Sequence, residues 1–286
     1  MRPTHPRIVL GLHRSRYERR ILTAALDLGV NAIDTSFNYR GFTAHATLAD
    51  IGSDLLPHYT VSTKVGYFLG QDGAEHSLDP KRLLSALEQT NRDLGRAPDL
   101  VFLHNPESSV QDDSDRARDA LAQACAALAD ARAKGLCGSW GIASWSPSLL
   151  VNVLESTAPK PSVLMIRAGL LVGANILDAG ESLATHWGLS RDALWGMSPF
   201  GGSARDPVWD RIDPRVFLRD GGGELSHTQA AFRVAYGLPQ VDTLAVGTDD
   251  ADHLRELIGA LPGEIDEQAV HQYRGLLRDR LRGQPA

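Results

Sequence analysis

The stretch "VNAIDTSFNYRG", Val30 to Gly41, opens as a buried strand and closes as a polar loop. Its apolar run ends on Asp34, and the loop beyond it carries Asn38, Tyr39 and Gly41. Asp and Asn favour turns and Gly accepts the positive φ that turns need, so a plain corner between a strand and a helix is one reading. The other is that a carboxylate and a phenol are delivered to the same rim of a sheet. The unit decides the fold only if it recurs.

It recurs throughout the chain. Short β-rich runs lie at Arg7 to Leu12, Asn31 to Ser36, Tyr59 to Gly66 and Asp99 to His104, then at Gly138 to Ser144, Ser162 to Ala168, Ala193 to Pro199 and Asp242 to Thr248. Amphipathic segments follow each of them, a rhythm that implies βα units and a parallel sheet. "YERRILTAALDLG" sets Ile21, Leu22, Ala25, Leu26 and Leu28 on one face and stops at Gly29. In "DPKRLLSALEQTNRDLG", Asp79 is placed to cap the helix and Pro80 to open it. Further helices are expected at His45 to Leu56, the weakest pattern, and at Asp115 to Lys134, Ser146 to Ser156, Ile176 to Trp187, Thr228 to Tyr236 and Asp252 to Leu261. The run "DEQAVHQYRGLLRDRL" predicts one more helix, laid over the outside.

Eight strand-then-helix units predict an α/β fold of the (β/α)8 TIM barrel type, whose sheet closes on itself. A doubly wound sheet would want a glycine-rich turn after the first strand, and "GLHRSRYE" has no G-x-G-x-x-G. No linker interrupts the chain, so residues 1–286 are read as one domain. The longest loop, Gly201 to Ser226, follows the seventh strand, and loops of that length are usually functional.

The bulk numbers exclude several classes. With 43% hydrophobic and 22% charged residues the chain has the composition of a globular protein, not a disordered one. A net charge of −6 offers no footprint for nucleic acid. Cys125 and Cys137 have no metal-ligand spacing and read as reduced, buried thiols. The first residues, "MRPTHPRIVLGLHRS", have no apolar stretch long enough for a signal peptide or a membrane span, so a cytoplasmic protein with no membrane partner is expected. No feature of the sequence fixes an oligomeric state.

In such a barrel the active site sits at the C-terminal ends of the strands. There the sequence puts Asp34 and Tyr39 after the second strand, Lys64 at the end of the third and His104 at the end of the fourth. Each alone has a structural reading as a turn, lid or capping residue. Lys64 resists it, since a strand lysine near a barrel mouth is costly unless a carboxylate such as Asp34 offsets its charge. A free tyrosine titrates near ~10, and a nearby ammonium lowers that value toward the range of a working acid or base. His104 can orient a carbonyl oxygen. The four together suit moving one proton on or off that oxygen.

At this point "GVNAIDTSFNYRG", "STKVG" and "LVFLHNP" resemble the three catalytic motifs of the aldo-keto reductase family. "KGLCGSWGIAS", "WGMSPFGG" and "TLAVGTDDADHLRELI" are similar to its later strand ends, so the resemblance spans nearly the whole chain. It implies that Tyr39 is the proton donor, supported by Asp34, Lys64 and His104, and that a nicotinamide cofactor, NADP or NAD, passes hydride to or from a carbonyl or hemiacetal carbon. It also implies cofactor contacts at Ser144, Met165, Met197, Ser198, Phe200, Gly201, Gly247, Thr248 and His253. The chain departs from the family at several of these. Ala143 and Ser144 stand for Ser-Asn, Met165 for Gln and Met197 for the stacking aromatic. Gly247 and His253 occupy the usual Lys and Arg positions, and the N-terminal hairpin is missing.

His13 and Trp145 are placed near the mouth, where pocket and core roles are both open, and Arg167 reads either as an anion contact or as part of an internal salt bridge. A small carbonyl or sugar-like molecule is the substrate the motifs favour. Two other readings use the same residues: a cofactor-independent isomerase or lyase, and a non-catalytic, cofactor-sensing subunit.

Overall fold

The computed structural model describes residues 7–110, 112–154 and 158–283. Eight parallel strands close into a barrel, each neighbour in register with the next: β1 (Arg7–Gly11), β2 (Ala32–Asp34), β3 (Thr60–Val65), β6 (Leu100–His104), β7 (Ser139–Ser144), β8 (Val163–Arg167), β9 (Leu194–Met197) and β10 (Thr243–Val246), which returns to β1. All eight lie within the runs expected from sequence, and the fold is the (β/α)8 barrel. Two further strands, β4 (Tyr67–Gly70) and β5 (Gly73–His76), form an antiparallel hairpin that stands outside the barrel.

Alternation along the strands sorts their side chains into two cores. Val9, Leu100, Phe102, Ala143, Met165, Trp195 and Ala245 fill the barrel interior. Their neighbours Leu10, Ile33, Val61, Leu103 and Ile142 face outward and pack with Ile21, Leu22, Leu83 and Leu128 of the helices. At roughly 25 cal/mol per Å² of buried apolar surface, these two layers are the main source of stability.

The helices follow their end signals. α1 (Arg19–Asp27) precedes Gly29, which takes a left-handed φ of +80°. α2 (Ala44–Gly52) forms despite its weak pattern. α3 (Pro80–Leu94) starts as expected, with the Asp79 carboxylate accepting from the backbone N–H of Lys81 and Arg82. α4 (Asp115–Ala133), α5 (Ala174–Trp187), α6 (His227–Val234) and α7 (Ala251–Gly259) complete the ring. The outer helix α8 (Glu267–Arg282) is tied to α5, where Arg274 and Arg278 both bond Asp178. Cys125 and Cys137 are free and buried, and burial pushes the Cys125 thiol up to about 12.

One expected helix is corrected. Over Ser146 to Ser156 there is only a 3-10 turn, Pro147–Asn152; residues 155 and 156 lie outside the described residues. Val151 and Val153 are weak helix formers. The Glu107 carboxylate also takes the backbone N–H of Trp145 and Ser146 at 2.7 and 2.8 Å, holding this segment to the β6 side of the rim. The long loop after β9 holds three short 3-10 turns and seats Trp209 and Leu218 in an apolar cluster with α5 and α6. Among the described residues no helix is long and apolar enough to cross a membrane.

Candidate active site

The register of β2 on β3 pairs Asp34 with Ser62. Lys64, two residues further along, therefore shares the inward face with both, since strand side chains alternate with a period of two. Its ammonium donates to Asp34 Oδ2 and, at 2.9 Å, to the carbonyl of Thr35. Ser62 Oγ donates to the other carboxylate oxygen at 2.8 Å. The pair is buried, with Lys64 2% and Asp34 5% exposed. Burial works against the ammonium, but Asp34 and then Tyr39 outweigh it, so Lys64 holds its proton more tightly than a free lysine.

Tyr39 stands on the turn after β2, with the Lys64 nitrogen 5.2 Å from its ring centroid. The turn is unusual: Arg40, Gly41 and Phe42 all take left-handed φ values, of 53°, 62° and 68°. Such a conformation costs a non-glycine residue roughly 1–3 kcal/mol. Thr43 Oγ1, which donates to the Arg40 carbonyl at 2.7 Å, and the Phe37–Phe42 ring contact help to hold it. Lys64 lowers the phenol's pKa as expected, yet burial outweighs it and the net shift is upward. The expected net lowering is thus corrected: Asp34 offsets part of the ammonium's field, and Tyr39 is a protonated phenol at neutral pH.

His104 ends β6 on the same face, its ring centroid 6.3 Å from that of Tyr39. Burial and the Lys64 charge hold its pKa well below the usual histidine value, so the imidazole is neutral. Nδ1 lies 3.1 Å from Ser36 Oγ, which donates to Asn38 Oδ1 at 2.7 Å. Sequence reasoning overlooked this link, and also the hairpin behind it. The Tyr67 ring packs edge-on to His104 at 4.9 Å, and His76 Nε2 donates to the His104 carbonyl at 2.7 Å. Gly66 permits that approach, because a Cβ there would stand 2.8 Å from the same carbonyl. The dipeptide Asp72-Gly73 between apolar and polar runs was the available signal for this hairpin.

A cavity of about 730 Å³ opens over the rim. Asp34, Tyr39 and Lys64 line it, with His13 and Trp145 beside them. His104 is not part of its lining, which departs from the expectation that all four residues face one mouth; its ring is buried against those of Tyr39 and Tyr67. The cavity runs on past Met165, Met197, Ser198 and Phe200 to Gly247, Thr248 and His253. Gly201 and Ser144 are not part of its lining, although their neighbours Gly202 and Trp145 are. Ser144 Oγ is fully buried and has no hydrogen-bond partner among the described residues. Arg167 makes no salt bridge among the described residues; its guanidinium lies 4.9 Å from the centre of the Trp145 ring.

A closed barrel with a buried lysine–aspartate pair and a phenol at its C-terminal rim sets a proton donor beside a ligand-sized cavity. The particular family follows from comparison with known proteins. The Aldo/keto reductase family matches residues 13–178, and the chain belongs to it. Over 278 residues, 95% of this chain and 91% of the relative, it is 24% identical to pyridoxine 4-dehydrogenase of Escherichia coli strain K12. Among solved structures, the holo form of aldo-keto reductase AKR11C1 from Bacillus halodurans superposes with a TM-score of 0.71 at 18% identity, covering 96% of this chain and 92% of that one. An aldo/keto reductase from Klebsiella pneumoniae in complex with NADP and acetate gives 0.69 at 16% identity, over 96% and 92% of the two chains.

Proposed function

We propose that residues 1–286 work as one NAD(P)-dependent oxidoreductase that moves hydride between a nicotinamide cofactor and the carbonyl or hemiacetal carbon of a small, sugar-like substrate. The observation that carries this reading is the phenol of Tyr39 beside a buried Lys64–Asp34 pair on the wall of a long cavity. Ser144 supports a cofactor fit, because a buried hydroxyl without a partner is costly until a ligand satisfies it. Met165, Met197, Ser198, Phe200, Gly201, Gly247, Thr248 and His253 are assigned to the same ligand, along the cavity or directly beside it. The nicotinamide supplies or accepts hydride when bound.

The chain's own residues handle the proton. Tyr39, protonated and fixed by its turn, donates to the substrate oxygen as negative charge grows there. Lys64 remains charged and stabilises that oxygen and the phenolate left behind. Asp34 keeps the ammonium in place. His104 supports the site from behind, as a neutral imidazole linked through Ser36 to the Tyr39 turn.

The test pairs binding with turnover. Thermal shifts with NADPH, NADH, NADP and NAD should show stabilisation by at least one of them, since a ligand of the native state raises apparent stability. A panel of aldehydes, ketones, free sugars and, because of the relative's name, pyridoxine should show absorbance change at the nicotinamide band. No stabilisation by any dinucleotide would sink the reading, and stabilisation without turnover would leave a cofactor-sensing protein.

A further inference from the structure

We infer that His13 returns a proton from solvent to Tyr39 in each turnover. The inference rests on the reading of Tyr39 as proton donor. A donor that has given its proton away must regain it before the next cycle, and a partly buried phenol whose ionised form is disfavoured cannot wait as phenolate.

The neighbours of Tyr39 leave few sources. Lys64 is locked by Asp34 and by the Thr35 carbonyl, with its proton held more tightly than usual. His104 is 9% exposed, packs against the Tyr67 ring and has its Nδ1 engaged with Ser36. His13 meets both requirements. It stands just beyond β1, lines the same cavity as Tyr39 and is exposed to solvent. Its ring centroid is 4.9 Å from that of Tyr39, the planes tilted by 46°.

The chemistry balances without another reagent. One imidazole nitrogen gives its proton to the phenolate oxygen, directly or through one water, while the other takes a proton from solvent; no charged histidine needs to accumulate. Arg14 on the same loop, Asp34 on β2, Tyr39 on its turn and Lys64 on β3 all face the ring. Burial, then Arg14 and Lys64, hold its pKa below the usual value while Asp34 pulls the other way. His13 is consequently neutral at pH 7, the form this relay uses.

His13→Ala and His13→Gln at an exposed position are expected to fold as the parent does. With the best substrate of the panel, kcat should fall about 10-fold or more, with KM little changed and with a larger solvent deuterium effect. Added free imidazole should restore much of the rate to His13→Ala. Unchanged kcat, a loss confined to KM, or a loss that imidazole does not relieve would overturn the proposal while wild-type turnover still upheld the function. If the wild type shows no turnover, the functional reading fails on its own, and a pH jump followed by tyrosinate absorbance decides about His13, with Tyr39→Phe identifying the signal. Ionisation of Tyr39 should be slower in His13→Ala and accelerated by imidazole; identical rates in the two proteins would refute the relay.

Discussion

The two sides of the barrel mouth are built on opposite plans. On the β2–β3 side every charge has its partner: Lys64 bonds Asp34 and the Thr35 carbonyl, and Ser62 bonds Asp34 in turn. On the β7–β8 side, Ser144 Oγ and Arg167 Nε are buried without partners among the described residues. Methionines occupy the rim there and on β9. The first side is organised in advance of any ligand, as charge stabilisation in a transition state requires. The second has polar atoms whose hydrogen bonds must come from something else. On the proposed reading, proton handling falls to the first side and ligand holding to the second.

Substitutions can break or sharpen this contrast. The largest effect is expected for Tyr39→Phe, which removes the hydroxyl of the proposed proton donor: kcat should drop by about 10²–10⁴-fold, while dinucleotide affinity and unfolding midpoint stay near wild type. Next comes Lys64→Met, which leaves Asp34 buried and unpaired. Breaking such a pair costs about 3–5 kcal/mol, so urea unfolding should show a loss of that size together with loss of turnover. If the stability loss is absent, the β2–β3 side is not the rigid half.

Acid should weaken the same half. Burial, with Lys64 adding to it, pushes the pKa of His45 down to about 4, and His104 moves in the same direction. As pH falls below the ordinary histidine value near ~6.5 the unfolded chain takes up protons that the native one refuses, so stability is present above that value and is lost toward pH 4. For His45 alone the loss is roughly 3 kcal/mol, and His45→Gln should make the fall of the urea midpoint between pH 7 and 4 shallower, leaving the share due to His104. The smallest effect belongs to the other side. Ser144→Ala removes an unsatisfied hydroxyl, so the free protein should be as stable or slightly more so. Dinucleotide binding should weaken by about 1 kcal/mol, read as a several-fold rise in Kd by calorimetry. Unchanged affinity would mean that Ser144 does not face the ligand.

Periodicity made the barrel legible. All eight of its strands and the capped start of α3 lie where alternation and Asp79-Pro80 put them, because local pattern and global packing agree there. The hairpin of β4 and β5 was missed because its burial is one-sided and brief, with only Phe68 buried. The segment after Ser144 read as a helix because its apolar spacing outweighed two β-branched residues and a carboxylate arriving from β6–α4, a contact that sequence does not display. In the site, the identities of Asp34, Tyr39, Lys64 and His104 could be read, but not that His104 is packed against Tyr67 and lies outside the cavity lining. Which of two opposing influences wins at the phenol also depends on burial, and burial is a property of the fold.

The left-handed run at Arg40, Gly41 and Phe42 has a consequence for how this chain can change. Two side chains there occupy backbone conformations that glycine or asparagine would adopt at lower energy. Replacements such as Arg40→Gly are thus a ready source of extra thermal tolerance, yet each would slacken the hinge-like corner on which the phenol rides. The corner marks a point where robustness and turnover pull in opposite directions, and where a protein engineer should expect to gain one at the expense of the other.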